Sequence, residues 1–151
     1  MLSLGGIVMR VSTKGRYALR LMLELAKHPN QCISIREISE KQNISHKYLE
    51  QIIIQLVRAG HVKSIRGPQG GYSLSSPPEK ITAGMILRTM EGSLSPVACL
   101  DDDEDSCERT GECETLSLWK NIQQAINQIV DTTTLQDLLD QSQNNHIGMW
   151  L

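Results

Sequence analysis

Two helix-start signals stand a short turn apart within residues 34–58, and a glycine-rich hairpin signal follows directly; few folds accommodate that order. Ser34 followed by Glu37 reads as a capping box, in which hydroxyl and carboxylate each satisfy an orphan backbone N–H at a helix start. The helix it opens must be short, because Asn43-Ile44-Ser45 forms a turn and Ser45 caps a new helix. In that second helix Leu49, Ile52, Ile53 and Leu56 make the inward stripe, which leaves His46, Lys47, Glu50, Gln51, Gln55 and Arg58 outward. This is the layout of a helix-turn-helix, although an ordinary helical hairpin would carry an equally polar outer face. The next segment decides between them. Residues 61–65 and 72–75 read as short strands around Arg66-Gly67-Pro68-Gln69-Gly70-Gly71, whose glycines supply positive φ and whose proline fixes one backbone angle. A hairpin wing behind the second helix makes the whole a winged helix-turn-helix. Reading the glycines as a phosphate-cradling loop fails, because no Gly-Lys-Ser/Thr follows and no helix opens there.

The flanks are helical too. A first helix begins near Ser12 or Thr13, with Ala18, Leu21, Met22 and Leu25 on its buried face, and ends at His28-Pro29-Asn30. Thr82 caps another over residues 82–91, with Ile81 and Ile86 as a hydrophobic staple and Gly92 as its stop. A long helix over residues 115–131 carries Trp119, Ile122, Ile126, Ile129 and Val130 along one narrow seam, which suits a partner helix better than a broad core and identifies a dimer helix; folding back on its own domain is the alternative. A short helix over 135–140 ends the ordered part. Phe is absent and aromatic residues are 3%, so aliphatic side chains must build the core. The fold class is therefore mainly α with a small β-hairpin wing: a winged helix-turn-helix over 9–80, a sensor loop (93–114) and dimerisation helix over 81–140, and flexible tails at 1–8 and 141–151.

Charge is divided along the chain. Up to Lys80 there are 12 Lys and Arg against 5 Asp and Glu, a net of +7; beyond it there are 3 against 12, a net of −9. A basic half beside an acidic one points to a polyanion bound by one side only. Lys47 and Arg58 are placed for phosphates, Glu50 and Gln51 for base edges in the major groove, and Arg66 for a narrow minor groove. With Lys14, Ser45, Tyr48, Gly67 and Pro68 these form the expected contact set for double-stranded DNA. No apolar run is long enough to span a bilayer and no signal peptide opens the chain, so the expected location is cytoplasmic, with no membrane partner. No nucleophile with a placed base, nucleotide fingerprint or catalytic zinc motif is present, so no enzyme is expected.

Three of the four cysteines, Cys99, Cys107 and Cys113, lie in the arrangement C-x7-C-x5-C between two helices. In a reducing compartment such clustered thiolates indicate metal or redox chemistry rather than disulfides. They can hold an iron–sulfur cluster or zinc, and structural zinc usually shows tighter cysteine pairs. Cys32, beside the second helix, reads as structural.

The segments MRVSTKGRYA (from Met9), ISHKYLEQ (from Ile44) and RGPQGGY (from Arg66), together with the three-cysteine loop running to Trp119, resemble the IscR/NsrR type of winged-helix regulators. That resemblance implies a homodimer built on the long helix through Trp119, Ile122, Ile126 and Ile129, and DNA recognition by helix-turn-helix and wing. It further implies a [2Fe-2S] cluster that modulates which sites are bound, and control, mainly repression, of iron–sulfur cluster assembly genes. Two positions depart from the pattern. Leu116 stands where IscR-like members place a histidine ligand, and Arg16 near where nitric-oxide-sensing relatives place an acidic one, so the fourth ligand is open among a carboxylate such as Glu114, another side chain and solvent. The alternatives are a metal-free thiol-based or nitric-oxide-sensing regulator of the same fold, and a small iron–sulfur or zinc redox module without a DNA role.

Overall fold

The computed structural model describes residues 11–100 and 113–148, with side chains to residue 145. The expectations for residues 1–8, Met9, Arg10, Asp101, Asp102, Asp103, Glu104, Asp105 and Cys107 lie outside the described residues. The order of elements is α1 (Thr13–Ala26), α2 (Ile35–Gln42), α3 (His46–Arg58), β1 (Val62–Ile65), β2 (Gly71–Leu74), α4 (Ala83–Glu91), α5 (Leu116–Thr132) and α6 (Leu135–Gly148), with single 3-10 turns at Pro78–Lys80 and Ala98–Leu100. The architecture is mainly helical with one antiparallel hairpin, as the sequence indicates.

Four helix starts follow one rule. Ser12, Ser34, Ser45 and Thr82 each accept a hydrogen bond from the backbone N–H three residues on, at 3.1–3.2 Å. Such caps contribute about 1 kcal/mol each. The reciprocal half of the capping box at α2 does not form; the Glu37 carboxylate turns to Lys41, 3.8 Å away, a charged partner one turn along the same helix. Asn43 ends α2 in the left-handed region at φ 52, and Ser39 Oγ donates to the Ile44 carbonyl at 2.6 Å to close the turn.

The core is aliphatic. Leu21, Met22 and Leu25 of α1, Ile38 of α2, Leu49, Ile52, Ile53 and Leu56 of α3, Ile81 and Ile86 around the start of α4, and Leu135 at the start of α6 are all fully buried. At about 1.5–3 kcal/mol for each aliphatic side chain, this cluster dominates the stability of the unit.

The strands pair Val62 with Leu74 and Ile65 with Gly71, slightly offset from the expected bounds. A third backbone joins them. Ile33 exchanges both hydrogen bonds with Tyr72, each 2.9 Å, so β2 is flanked on both edges and the wing is anchored to the segment before α2. Gly71 makes this approach possible, since a Cβ there would stand 2.7 Å from the Ile33 carbonyl oxygen.

The second half is attached differently. Ala83 N–H donates to the Thr133 carbonyl at 2.8 Å and Leu135 N–H to the Ile81 carbonyl at 2.9 Å, clipping the α5–α6 corner to the start of α4. Gly84 lets α5 approach, because a Cβ there would lie 3.1 Å from Val130 Cγ2. Arg88 then spans to Asp131 through both guanidinium nitrogens and to Asn127 Oδ1 at 2.9 Å. Yet α5 has no buried residue. The last helix corrects the expected stop near Asp140: α6 continues to Gly148, because the polar run after Asp140 holds neither proline nor glycine before that point.

Candidate DNA-reading surface and cysteine loop

The position of α3 is set by polar contacts that reach across the sequence. Glu24 of α1 is only 3% exposed and receives Lys27 at 3.1 Å, Lys41 at 3.6 Å and Gln42 Nε2 at 2.7 Å. Burial alone would raise its pKa; hydrogen bonds from Lys27 and Gln42 and the charges of Lys27 and Lys41 outweigh it, and the carboxyl lies below its ordinary value. Gln42, the last residue of α2, also accepts Arg20 Nε on its side chain at 3.0 Å and Arg20 Nη2 on its carbonyl. The Arg20 guanidinium sits 5.4 Å from the Tyr17 ring centroid, and Tyr17 meets Tyr48 of α3 edge to face at 5.6 Å. From Glu24 to Tyr48, these contacts fix the turn and the first turn of α3 against α1.

On the outer face of α3, Lys47, Glu50, Gln51 and Arg58 are exposed together. Glu50 stands 3.3 Å from His46, a charge pair only when the imidazole is protonated. Ser45 spends its hydroxyl as the cap, and Tyr48 is half-buried against Tyr17, so both serve the frame of the interface as well as its surface. Arg66, Gly67 and Pro68 are exposed at the wing tip, where Gly67 adopts φ 116 and its carbonyl accepts Gly70 N–H at 2.9 Å. Lys14 is half-buried in the first turn of α1. Two exposed aliphatics escape the sequence reading: Ile54, 49% exposed on α3, and Ile65, 48% exposed beside Arg66. The available signal was the position of Ile54, one helical repeat after Lys47 and away from the inward stripe.

The loop that would bind metal is bracketed by described residues. Cys99 lies in the turn Ala98–Leu100, whose last carbonyl accepts Gln123 Nε2 at 3.4 Å. Cys113 stands before α5, its carbonyl accepting Leu116 N–H at 3.3 Å and its Sγ 3.3 Å from Thr115 Oγ1. Gln123 is about 10 Å along the helix axis from Leu116 at 1.5 Å per residue, so the Leu100 carbonyl and Cys113 meet α5 at different levels. Among the described residues no group of three His, Cys, Asp or Glu is gathered as a metal site. Glu114 is exposed, and Cys32 is half-buried next to the Ile33 bridge. The donor set nonetheless suits sulfur-preferring iron chemistry, with three cysteines and a carboxylate in one segment.

The end of α4, from which the loop departs, is tied to the start of α1. Glu91, the last residue of α4 before the loop, accepts Ser12 N–H at 3.0 Å and the Ser12 hydroxyl, gripping the start of α1. Gly15 leaves room for that carboxylate; a Cβ there would overlap it. His61, behind α3, has its pKa lowered by burial, and its Nε2 lies 2.9 Å from Thr89 Oγ1 of α4.

Comparison with known proteins places these features in context. The family model described as Rrf2, iron-dependent transcriptional regulator, matches residues 11–141. The HTH-type transcriptional regulator CymR of Bacillus subtilis is 47% identical over 131 residues, 86% of this chain and 89% of the relative. The solved structure of CymR, described as the global cysteine regulator of B. subtilis, superposes with a TM-score of 0.72 at 45% identity, covering 87% of this chain and 96% of the other. An oxidized form of Staphylococcus aureus CymR gives 0.67 at 41% identity, covering 85% and 94%. The structure of T. potens IscR gives 0.70 at 39% identity, covering 88% of each chain.

Proposed function

Because this chain belongs to the Rrf2 family of transcriptional regulators, we propose that it is a homodimeric DNA-binding repressor whose hold on DNA is modulated by a [2Fe-2S] cluster, acting in the cytoplasm on iron–sulfur cluster assembly genes. It is a transcriptional regulator and not an enzyme. No helix among the described residues is long and apolar enough to cross a membrane. The observation that carries the DNA reading is the joint exposure of Lys47, Glu50, Gln51 and Arg58 on a helix fixed by its own turn, beside the wing tip of Arg66, Gly67 and Pro68. Lys14, Ser45 and Tyr48 complete the contact set from the flanking turns.

For the dimer, the support is the uncovered face of α5. Val130, Asn127 and Asp131 face α4, while Leu118 (51% exposed) and Ile129 (65%) lie on the other side, with Ile122 and Ile126 half-buried between and Trp119 at the edge. Cys99, Cys107 and Cys113 would hold the cluster, with Glu114 the candidate fourth ligand since Leu116 offers no donor atom. When bound, the cluster supplies an iron- and redox-responsive centre. The chain's own part is transmission: the segment that carries the cysteines follows α4 at Glu91, and Glu91 grips Ser12, so a change at the end of α4 reaches the first turn of α1 and Lys14 through one carboxylate.

A second reading, a metal-free thiol regulator of cysteine genes, is favoured by the CymR relatives, one of them solved in an oxidized form. Iron and acid-labile sulfide analysis of anaerobically purified protein, followed by DNA shift assays, separates the two. Coloured protein with iron and sulfide, bleached by Cys99→Ala, Cys107→Ala or Cys113→Ala but not by Cys32→Ala, is the expected result. Colourless, iron-free protein whose DNA shift responds to thiol oxidation establishes the second reading instead.

A further inference from the structure

We propose that Ile54 reads a thymine, its side chain packing on the C5-methyl group in the major groove, which makes it a specificity-determining residue of the DNA interface. The inference rests on the DNA-binding reading above. Lys47, Glu50, Gln51 and Ile54 follow the spacing i, i+3, i+4, i+7, the set that a helix lying along a groove presents on one face. Arg58 extends that face by one more turn. The buried stripe of Leu49, Ile52, Ile53 and Leu56 lies opposite, so Ile54 is directed away from the core and is 49% exposed.

Charge names the occupant. Lys47 and Arg58, exposed before and after Ile54 on the same face, suit a polyanion with phosphates on both sides of a groove and an apolar feature between them. Of the four bases, only thymine shows a methyl group in the major groove; the other edges present donors and acceptors that an aliphatic side chain would leave unsatisfied. Isoleucine is also stiff at χ1 in a helix, so it is offered to the groove with little rotamer freedom to lose.

The test uses the full-length protein and a site selected from a random duplex DNA library, in which each thymine is replaced in turn by deoxyuracil, which lacks only the methyl group. Wild-type protein should lose about four-fold in affinity, the equivalent of one methyl-sized group kept from water, at one thymine in each half-site. Ile54→Ala should bind the thymine and uracil forms of that site alike, and its circular dichroism and urea midpoint should match those of wild type, which shows that the variant is folded. No uracil position whose cost depends on Ile54 overturns the inference, as does an Ile54→Ala loss of equal size on both forms. Recovery of no preferred duplex overturns the DNA-binding reading itself, and this inference with it.

Discussion

The reading unit, α1 to α4 with the wing, and the arm of loop and α5 use similar amphipathic helices but hold their shape by different means. Every helix of the reading unit starts on a serine or threonine cap and sends aliphatic side chains into one buried cluster. α5 has no side-chain cap, since the Thr115 hydroxyl is taken by Trp119 Nε1 at 3.1 Å and by Cys113, and it has no buried residue. The first region holds its shape by its own caps and a core to which only the start of α6 adds; the second is attached through α4 and leaves apolar side chains exposed. That division suits a transcriptional regulator, whose recognition surface must be rigid.

The largest expected effect tests whether the reading unit is self-sufficient. Ile53→Ala removes a fully buried side chain between α3 and the rest of the cluster, and should cost about 2–5 kcal/mol of folding free energy. Urea denaturation followed by circular dichroism measures it. A cost under about 1 kcal/mol, typical of a site away from packed groups, would mean that α3 is not held by this core. In the arm, the corresponding change is Ile129→Asp. It should leave the denaturation midpoint of a dilute sample near that of wild type, because the residue is already in water in the monomer, but shift the dimer towards monomer in sedimentation equilibrium. Placing a carboxylate in an apolar seam costs several kcal/mol when unpaired. A variant that sediments as an intact dimer moves the interface off α5. Ile129 is a sharper probe than Ile126, which is half-buried before any partner arrives.

What the sequence disclosed follows the same division. Periodicity made the stripe of Leu49, Ile52, Ile53 and Leu56 legible, and local chemistry made the caps at Ser34, Ser45 and Thr82 legible, because both signals act within one or two helical turns. The Ile33–Tyr72 bridge, the Glu91–Ser12 grip and the Arg20–Gln42–Glu24 contacts join residues distant in sequence, and single polar residues carry no period by which to find them. Ile54 was passed over for the opposite reason: hydrophobicity suggests burial, and only its angle around α3 places it outside. Leu118 was likewise missed, although it lies with Ile122 and Ile129 on the uncovered side of α5. The three cysteines were legible as a set by spacing, which does not say whether they come together, because the loop that holds them has no internal repeat.

A smaller effect tests whether the polar frame, and not the apolar core alone, positions the reading helix. Glu24→Gln keeps the shape and one acceptor but removes the charge that faces Lys27 and Lys41, and should cost about 1–3 kcal/mol at neutral pH, the range for a buried hydrogen-bonded group. Glu24 has a folded pKa below its ordinary value, so its contribution is present above the unfolded carboxyl range and is lost as pH falls through the folded value. The stability gap between wild type and Glu24→Gln should therefore close in acid. A gap that stays constant from neutral pH down to about pH 3, below the ordinary carboxyl range, would show that the charge is not what the lysines stabilise.

The smallest effect concerns His61, inside the reading unit, where the residue behind α3 meets α4, the helix to which α5 is attached. Thr89 donates its hydroxyl proton to the Met85 carbonyl at 2.9 Å, so it accepts from His61 Nε2, and that nitrogen carries a proton. A second proton on the ring is disfavoured by burial, which lowers the folded pKa. Unfolded chains take up that proton near the ordinary histidine value of about 6.5, so between the folded and unfolded values the unfolded state binds more protons and stability rises with pH. His61→Gln retains a side-chain donor for Thr89 and cannot titrate. It should change stability by no more than about 0.5 kcal/mol at pH 8, the range for partly exposed positions, and should be less sensitive than wild type to a drop to about pH 5, below the histidine range. Urea midpoints of the two proteins at both pH values decide it: a wild type that loses no more stability than the variant on acidification would place the His61 proton outside the folding equilibrium.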